Sequence, residues 1–393
     1  MFARLPSTRK AVAYIFTLMS FVWLAACEPV GPANDNNGRR IDPNATVQVA
    51  LLVPGGSGDG TDSLLASNLE NAARLAISDL NGVSIDLRVY NTGADPVVAA
   101  SVASQAVNDG AKIILGPLFG EAANAAGIAV ANRNVNVLAF SNNTSIAGGN
   151  VFVLGATFQN TANRLVQYSG RQGISRYAVI HGDDVAGQAG RDAITTAVRN
   201  NGGQVSSIES YPLSQQGIFN SARRISASTK SGGADAVFLT AGVNADLPIL
   251  ATALRDTGID PAETQYIGLT RWSAAPQALA LPGLQGGLFT LPDQNMKNLF
   301  ESRYAAAYGD APHPLSGLAY DGIAAIGALV AAGNANALTK LALTSPQGFQ
   351  GTAGIFRLLP NGQNQRGLAV ATVRDGSVVV LEAAPGSFGG AGS

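Results

Sequence analysis

The sequence predicts an α/β protein of two lobes, each built on a parallel central sheet flanked by helices. Three observations predict it. Short β-rich runs alternate with longer helical ones from Val47 onward, the pattern of strands joined by crossover helices. A second series of similar length begins near residue 157. The roughly 365 residues beyond the first apolar run also exceed the usual size of one domain.

The chain opens with Arg4, Arg9 and Lys10, then an apolar stretch of 14 residues from Ala11 to Leu24. A helix of that length is shorter than the roughly 30 Å bilayer core, so residues 1–26 fit a signal peptide better than a permanent span. The order Leu24-Ala25-Ala26-Cys27 resembles the bacterial lipobox, which makes Cys27, the only cysteine, the expected lipidation site. More than one acyl chain would make such anchoring stable. Glu28 follows rather than Asp, so nothing signals inner-membrane retention and an outer-membrane, periplasm-facing protein is expected. Residues 27–45, rich in Pro, Asn, Gly and charge, are expected to be a flexible tether.

The first series pairs strand VQVALLV (47–53) with helix 62–80, strand SIDLRVY (84–90) with helix 95–109, and strand AKIILG (111–116) with the helical run after Gly120. Pro96 falls at a helix start, where its missing N–H costs nothing. VNVLAF (135–140) closes the series. The second runs through helix 157–172, strand RYAVIHG, helix 186–200, strand GQVSSIESY, helix 217–229, strand ADAVFLT, helix 244–256 and strand TQYIGL. Two such units predict two Rossmann-like lobes.

Composition narrows the function. Net charge is −1 with 13% charged residues, which offers no basic footprint for nucleic acid. GGSGDG (55–60) lacks the GK[ST] ending of a phosphate loop, so it is expected to be a tight crossover. HGDD (181–184) is expected to serve turn and cap roles rather than hold metal. His313, between Pro312 and Pro314, is too isolated to form a triad, and no G-x-S-x-G elbow or H-E-x-x-H pair occurs. No enzyme and no cofactor are expected.

Several stretches resemble type I periplasmic binding proteins of the leucine-binding kind: VALLVPGGSGDG, ILGPLFGEAANAAGIAVANRNVNVLAFSNN, YAVIHGDDVAGQAGRDAITTAVRNNGGQV, LAYDGIAAIGAL and GFQGTAGIFRLLPNGQNQRGLAV. Together they span nearly all of 47–381 in the family's order. The resemblance implies the two-lobed Venus-flytrap fold, with 46–155 and 285–345 in the N-terminal lobe, 156–284 and 346–385 in the C-terminal lobe, and 386–393 a Gly-rich tail. Within that superfamily ILGPLF, LAFSNN, GLAYD and the Asn-Gly…Asn-Gln-Arg-Gly ending are most similar to lipoproteins of the penicillin-binding protein activator group. That likeness implies regulation of peptidoglycan synthesis through a penicillin-binding protein. The alternative it leaves open is a substrate-binding lipoprotein delivering branched-chain amino acids, amides or a related ligand to an ABC permease.

The resemblance also implies a ligand cleft between the lobes, lined by loops 54–60, 116–120, 141–144, 182–187, 240–244 and 269–272. The residues expected there are Ser57, Leu118, Phe119, Ser141, Asn142, Asn143, Asp184, Gly242, Asn244, Thr270 and Arg271. In leucine-type binders the loops matching 116–120 and 141–143 hold the ligand carboxylate. The loops that usually supply an aromatic and a carboxylate for the ammonium carry Gly242, Val243, Asn244, Thr270, Arg271 and Trp272 here, so a zwitterion is not the favoured ligand.

Overall fold

The computed structural model of the chain describes residues 38–389, so the signal sequence, Cys27 and most of the tether lie outside the described residues. The first series comprises β1 (Val47–Val53), α1 (Gly60–Ser78), β2 (Ile85–Asn91), α2 (Pro96–Asn108), β3 (Ile113–Leu115), α3 (Gly120–Val130), β4 (Val137–Ala139) and β5 (Val151–Val153). Its five strands form a parallel sheet in the order β2-β1-β3-β4-β5. Both faces are covered by helices, so the central strands are apolar throughout rather than alternating; Val49 to Leu52 are all fully buried.

The second series comprises α4 (Phe158–Arg171), β6 (Arg176–Gly182), α5 (Val185–Asn200), β7 (Gln204–Tyr211), α6 (Gln215–Ser231), β8 (Ala236–Leu239), α7 (Leu247–Asp256), β9 (Gln265–Gly268) and β10 (Leu288–Leu291). Strand order β10-β9-β8-β6-β7 repeats the first sheet's winding. Many helices begin on a residue that caps them. Asp95 accepts N–H groups of Val97 and Val98, Thr157 that of Asn160, and Ser214 that of Gly217. Each such cap stabilises its helix by about 1 kcal/mol.

The rest of the chain returns to both lobes: α8 (Gln294–Tyr308), α9 (Gly317–Ala331), α10 (Lys340–Leu343), β11 (Phe349–Gly351), β12 (Gly354–Leu358), β13 (Asn364–Arg366), β14 (Ala369–Arg374) and β15 (Ser377–Glu382). Helices α8 and α9 pack on the first core through Phe300, Tyr304, Ile323 and Ile326. Small residues let α9 come close; a Cβ on Gly322 would sit 2.7 Å from the Leu115 side chain.

Three placements differ from the sequence division. The apolar run of β10, assigned by sequence to the first lobe, is hydrogen-bonded between β9 and β14 in the second sheet. Phe349 and Phe356, assigned to the second lobe, lie with tilted rings 5.5 Å apart in the first core, and only β14 and β15 add an antiparallel hairpin to the second sheet. Ile41, inside the expected tether, is buried and donates its N–H to the Ala335 carbonyl at 2.9 Å, so the last residues before β1 dock on the first lobe. In each case an apolar side chain seeking a core overrides the boundary.

The chain thus crosses between lobes near 154–158, 291–294 and 366–369, and a buried polar network binds two of these crossings together. Asn364 Nδ2 donates to the carbonyls of Val153 and Gly155 at 2.8 and 2.9 Å, and its Oδ1 accepts from Asn160. Arg366 pairs with Asp321 at 3.2 Å and also donates to the Leu154 carbonyl at 2.5 Å. The other Asp321 oxygen accepts the N–H and hydroxyl of Thr352. Gly155 has no room for a side chain, since a Cβ would lie 2.5 Å from the Ser141 carbonyl.

Candidate functional site

The repeated winding order locates the site. In the first sheet β1 lies between β2 and β3, and in the second β6 lies between β7 and β8. At each of these switch points a crevice opens beyond the carboxyl ends of the strands, where open α/β sheets bind ligands. Loops 54–60 and 116–120 follow the switch strands of the first lobe; loops 182–187 and 240–244 follow those of the second.

On the first lobe, Ser57 is exposed and its hydroxyl accepts the Asp59 N–H at 3.1 Å. Asp59 in turn caps α1, and the Thr61 N–H holds its carboxyl below the usual range. Gly116, at φ +80°, presses on the Leu52 carbonyl and admits no Cβ. Leu118 is half-buried, whereas Phe119 is exposed and precedes α3 without capping it. Ser141 is buried and accepts the Asn143 N–H, while Asn143 Oδ1 accepts the N–H and hydroxyl of Ser145. Asn142 is exposed. The Asn143 carbonyl oxygen is therefore committed to its own turn, as hydroxyl and amide residues in turns commonly are.

On the second lobe, Asp184 caps α5 through the Gly187 N–H at 2.9 Å. His181, buried beside it, sets Nδ1 2.7 Å from the Gly182 carbonyl, so both residues have local work. The Gly242 N–H donates to Asp246 Oδ1 at 2.7 Å, and the other Asp246 oxygen accepts the Tyr211 hydroxyl. Burial first, and that carboxylate second, push the Tyr211 hydroxyl far above its ordinary pKa. Asn244 is exposed. Thr270 donates to the Ala241 carbonyl at 2.8 Å, tying the loops after β8 and β9. Trp272 is fully buried and stacks on Phe289 at 5.6 Å, so it belongs to the core. Arg271, next to it, is exposed, and among the described residues its guanidinium has no partner.

A cavity of about 450 Å³ draws walls from both lobes beside the crossings. Of the residues expected at the site, Arg271 lines it; the other ten do not. Sequence reasoning missed the remaining walls: Asn160 and Thr290 at the crossings, Lys297 and Glu301 on α8, and the turn carrying His313 and Leu315. The Pro312-His313-Pro314 loop was visible in the sequence, but nothing in it says where it packs. Asn68 of α1 decides that by accepting the His313 N–H at 2.8 Å. A second cavity, of about 490 Å³, lies between α1, α8, α9 and β11, with every wall outside the second sheet's series. Lobe movement would reshape the first cavity and leave the second unchanged.

The comparisons agree with this architecture. A family model described as periplasmic binding protein matches residues 46–377. Similar solved structures include a putative branched-chain amino acid ABC transporter protein from Rhodospirillum rubrum, 19% identical, covering 86% of this chain and 100% of that one at a TM-score of 0.70. A branched-chain amino acid ABC transporter periplasmic ligand-binding protein from Burkholderia xenovorans is 18% identical, with 88% and 97% covered and a TM-score of 0.66. An ABC transporter substrate-binding protein from Desulfitobacterium hafniense in complex with Leu is 18% identical, with 86% and 100% covered and a TM-score of 0.59. No match is found among curated proteins.

These findings overturn the penicillin-binding protein activator assignment, and with it the peptidoglycan synthase partner and the cell-wall role. The family model and the similar structures are those of periplasmic and transporter binding proteins. The residues that suggested an activator have structural work instead. Asp321 of GLAYD and the Asn364 and Arg366 of the Asn-Gly…Asn-Gln-Arg-Gly ending build the crossing network. Among the described residues no helix is long and apolar enough to cross a membrane. The chain belongs to the periplasmic binding protein family, a family of non-catalytic solute-binding proteins of the two-lobed Venus-flytrap fold.

Proposed function

We propose that the protein is the substrate-binding component of an ABC transporter, capturing a small organic solute between its lobes and presenting it to a permease. The observation that carries this reading is the cavity shared by both lobes beside three chain crossings. A solute held there would touch both lobes at once, so it would favour the closed arrangement by its differential contacts. The solved structures of the same fold, named for branched-chain amino acid transport or holding leucine, support a solute of that size.

Cys27 is the proposed lipid attachment, with a periplasm-facing body held at the membrane. A permease partner favours the inner-membrane surface over the outer membrane that Glu28 suggests, and membrane fractionation with a Cys27→Ser control separates the two. The test of the function is a thermal-shift screen against amino acids, amides and small carboxylates. A ligand at a thousand times its dissociation constant adds about 4 kcal/mol to native stability. A shift confined to one chemical class supports the reading; a flat response across all classes sinks it.

A further inference from the structure

We infer that the cleft holds a small monocarboxylate with a compact apolar body and no ammonium group, a molecule like 4-methylpentanoate rather than leucine. This rests on the solute-binding reading above and sharpens it to a chemical class. Three cations and two carboxylates line the shared cavity. Lys297 is joined to Glu301 at 2.6 Å, and Arg366 to Asp321 at 3.2 Å. Asp321 is taken, since it also accepts two bonds from Thr352, whereas Glu301 gives one oxygen to Lys297 in a half-exposed pair. Arg271 is the cation left over, and among the described residues it has no partner.

The acids of the loops after β6 and β8 are committed as well. Asp246 is buried and divided between Gly242 and Tyr211, and Asp184 caps α5. An ammonium entering this cleft would lose water and have to compete with Lys297 for Glu301, against a wall of three cations and two carboxylates. A carboxylate would instead meet the planar fork of Arg271, whose paired N–H groups match its two oxygens.

The proline-flanked turn adds a donor. His313 Nδ1 accepts the Leu315 N–H at 3.2 Å, which leaves Nε2 as the N–H of the neutral ring. Leu291, Phe300, Pro314, Leu315 and Leu368 supply the apolar wall for the body of the acid.

The experiment is calorimetric titration of the full chain, purified in detergent, with matched pairs: 4-methylpentanoate against leucine, and 3-phenylpropanoate against phenylalanine. At least one acid is expected to bind tenfold or more tightly than its amino acid. Arg271→Gln is expected to weaken that acid tenfold or more without moving the unliganded melting midpoint, and Arg271→Lys to restore part of the loss. Leucine or phenylalanine binding as tightly as its acid overturns the class while leaving the solute-binding reading intact. An acid that binds Arg271→Gln as well as the parent chain overturns the role of Arg271 and the inference with it. No heat from any acid, when amides or amino acids do bind, overturns the class alone; no binding by any compound overturns both readings.

Discussion

Arg366 and Arg271 line the same cavity, yet the protein treats them in opposite ways. Arg366 is buried, paired with Asp321, bonded to the Leu154 carbonyl and set over the Phe356 ring at 5.2 Å. Arg271 stands on an exposed loop with no partner among the described residues. Arg164, as buried as Arg366, shares Glu382 with the exposed Arg171 on the flank where α4 meets β15. A buried cation must have its charge answered by the fold, because no water can answer it. An exposed one can wait for something from solution. Comparing the four separates residues that hold the lobes in register from those left over for recognition.

That contrast can be broken most forcefully at Asp321. Asp321→Ala strands the Arg366 guanidinium in the interior and takes the acceptor from Thr352, an expected loss of about 3–5 kcal/mol in urea unfolding. Replacing both partners with apolar residues, Asp321→Leu with Arg366→Met, is expected to recover a substantial part of it. If the double variant is as unstable as the single one, the pair matters for its hydrogen bonds to the crossings rather than its charge.

A smaller effect is expected at Glu382. Burial raises its pKa, but hydrogen bonds from Arg164 and Arg171 outweigh burial and hold the carboxyl below its ordinary 4.5. A depressed carboxylate contributes stability that is present above its unfolded pKa and is lost as pH falls through the folded one. The urea midpoint of the parent chain should therefore drop between pH 5 and pH 3 more steeply than that of Glu382→Gln. Equal slopes would mean the flank pairs are too well solvated to matter. The smallest effect belongs to Arg271→Gln, whose unliganded stability should stay within about 0.5 kcal/mol of the parent. A larger loss would assign Arg271 to the fold.

Much of this organisation was legible in the sequence, because strand and helix periodicities are local. The two series, the cap at Asp184, and the start of α2 at Pro96 follow from neighbours within a few positions. The lobe of β10 was not legible, since a four-residue apolar run pairs equally well with any open sheet edge. Nor was the packing of Phe349 and Phe356 on the first core, a contact decided by chain far from them in sequence. The site divides in the same way. Loops after strands could be named from order alone, and Arg271 among them does reach the shared cavity. Its opposite wall, carrying Lys297, His313 and Leu315, comes from a late segment whose position depends on Asn68 of α1. The cap-forming roles of Asn143 and Asp184 explain why polar residues in the right loops were only in part free for a ligand.

The stacking of Trp272 on Phe289 has a practical consequence for watching the molecule come apart. Trp23 precedes Cys27, so processing at that cysteine would leave Trp272 as the sole indole chromophore, sealed in the second lobe. The first lobe carries its own aromatic signature, in which Phe300, Tyr304, Tyr308 and Tyr320 lie in a chain of ring contacts 4.9 to 5.9 Å between centroids. Red-shifting emission would record the melting of the second lobe alone, whereas near-ultraviolet circular dichroism, which also sees the buried Tyr177, Tyr211 and Tyr266 of that lobe, would record both halves. The protein thus carries one spectroscopic clock for a single lobe and one for the whole, and whether they strike together reports how tightly the crossings couple the halves.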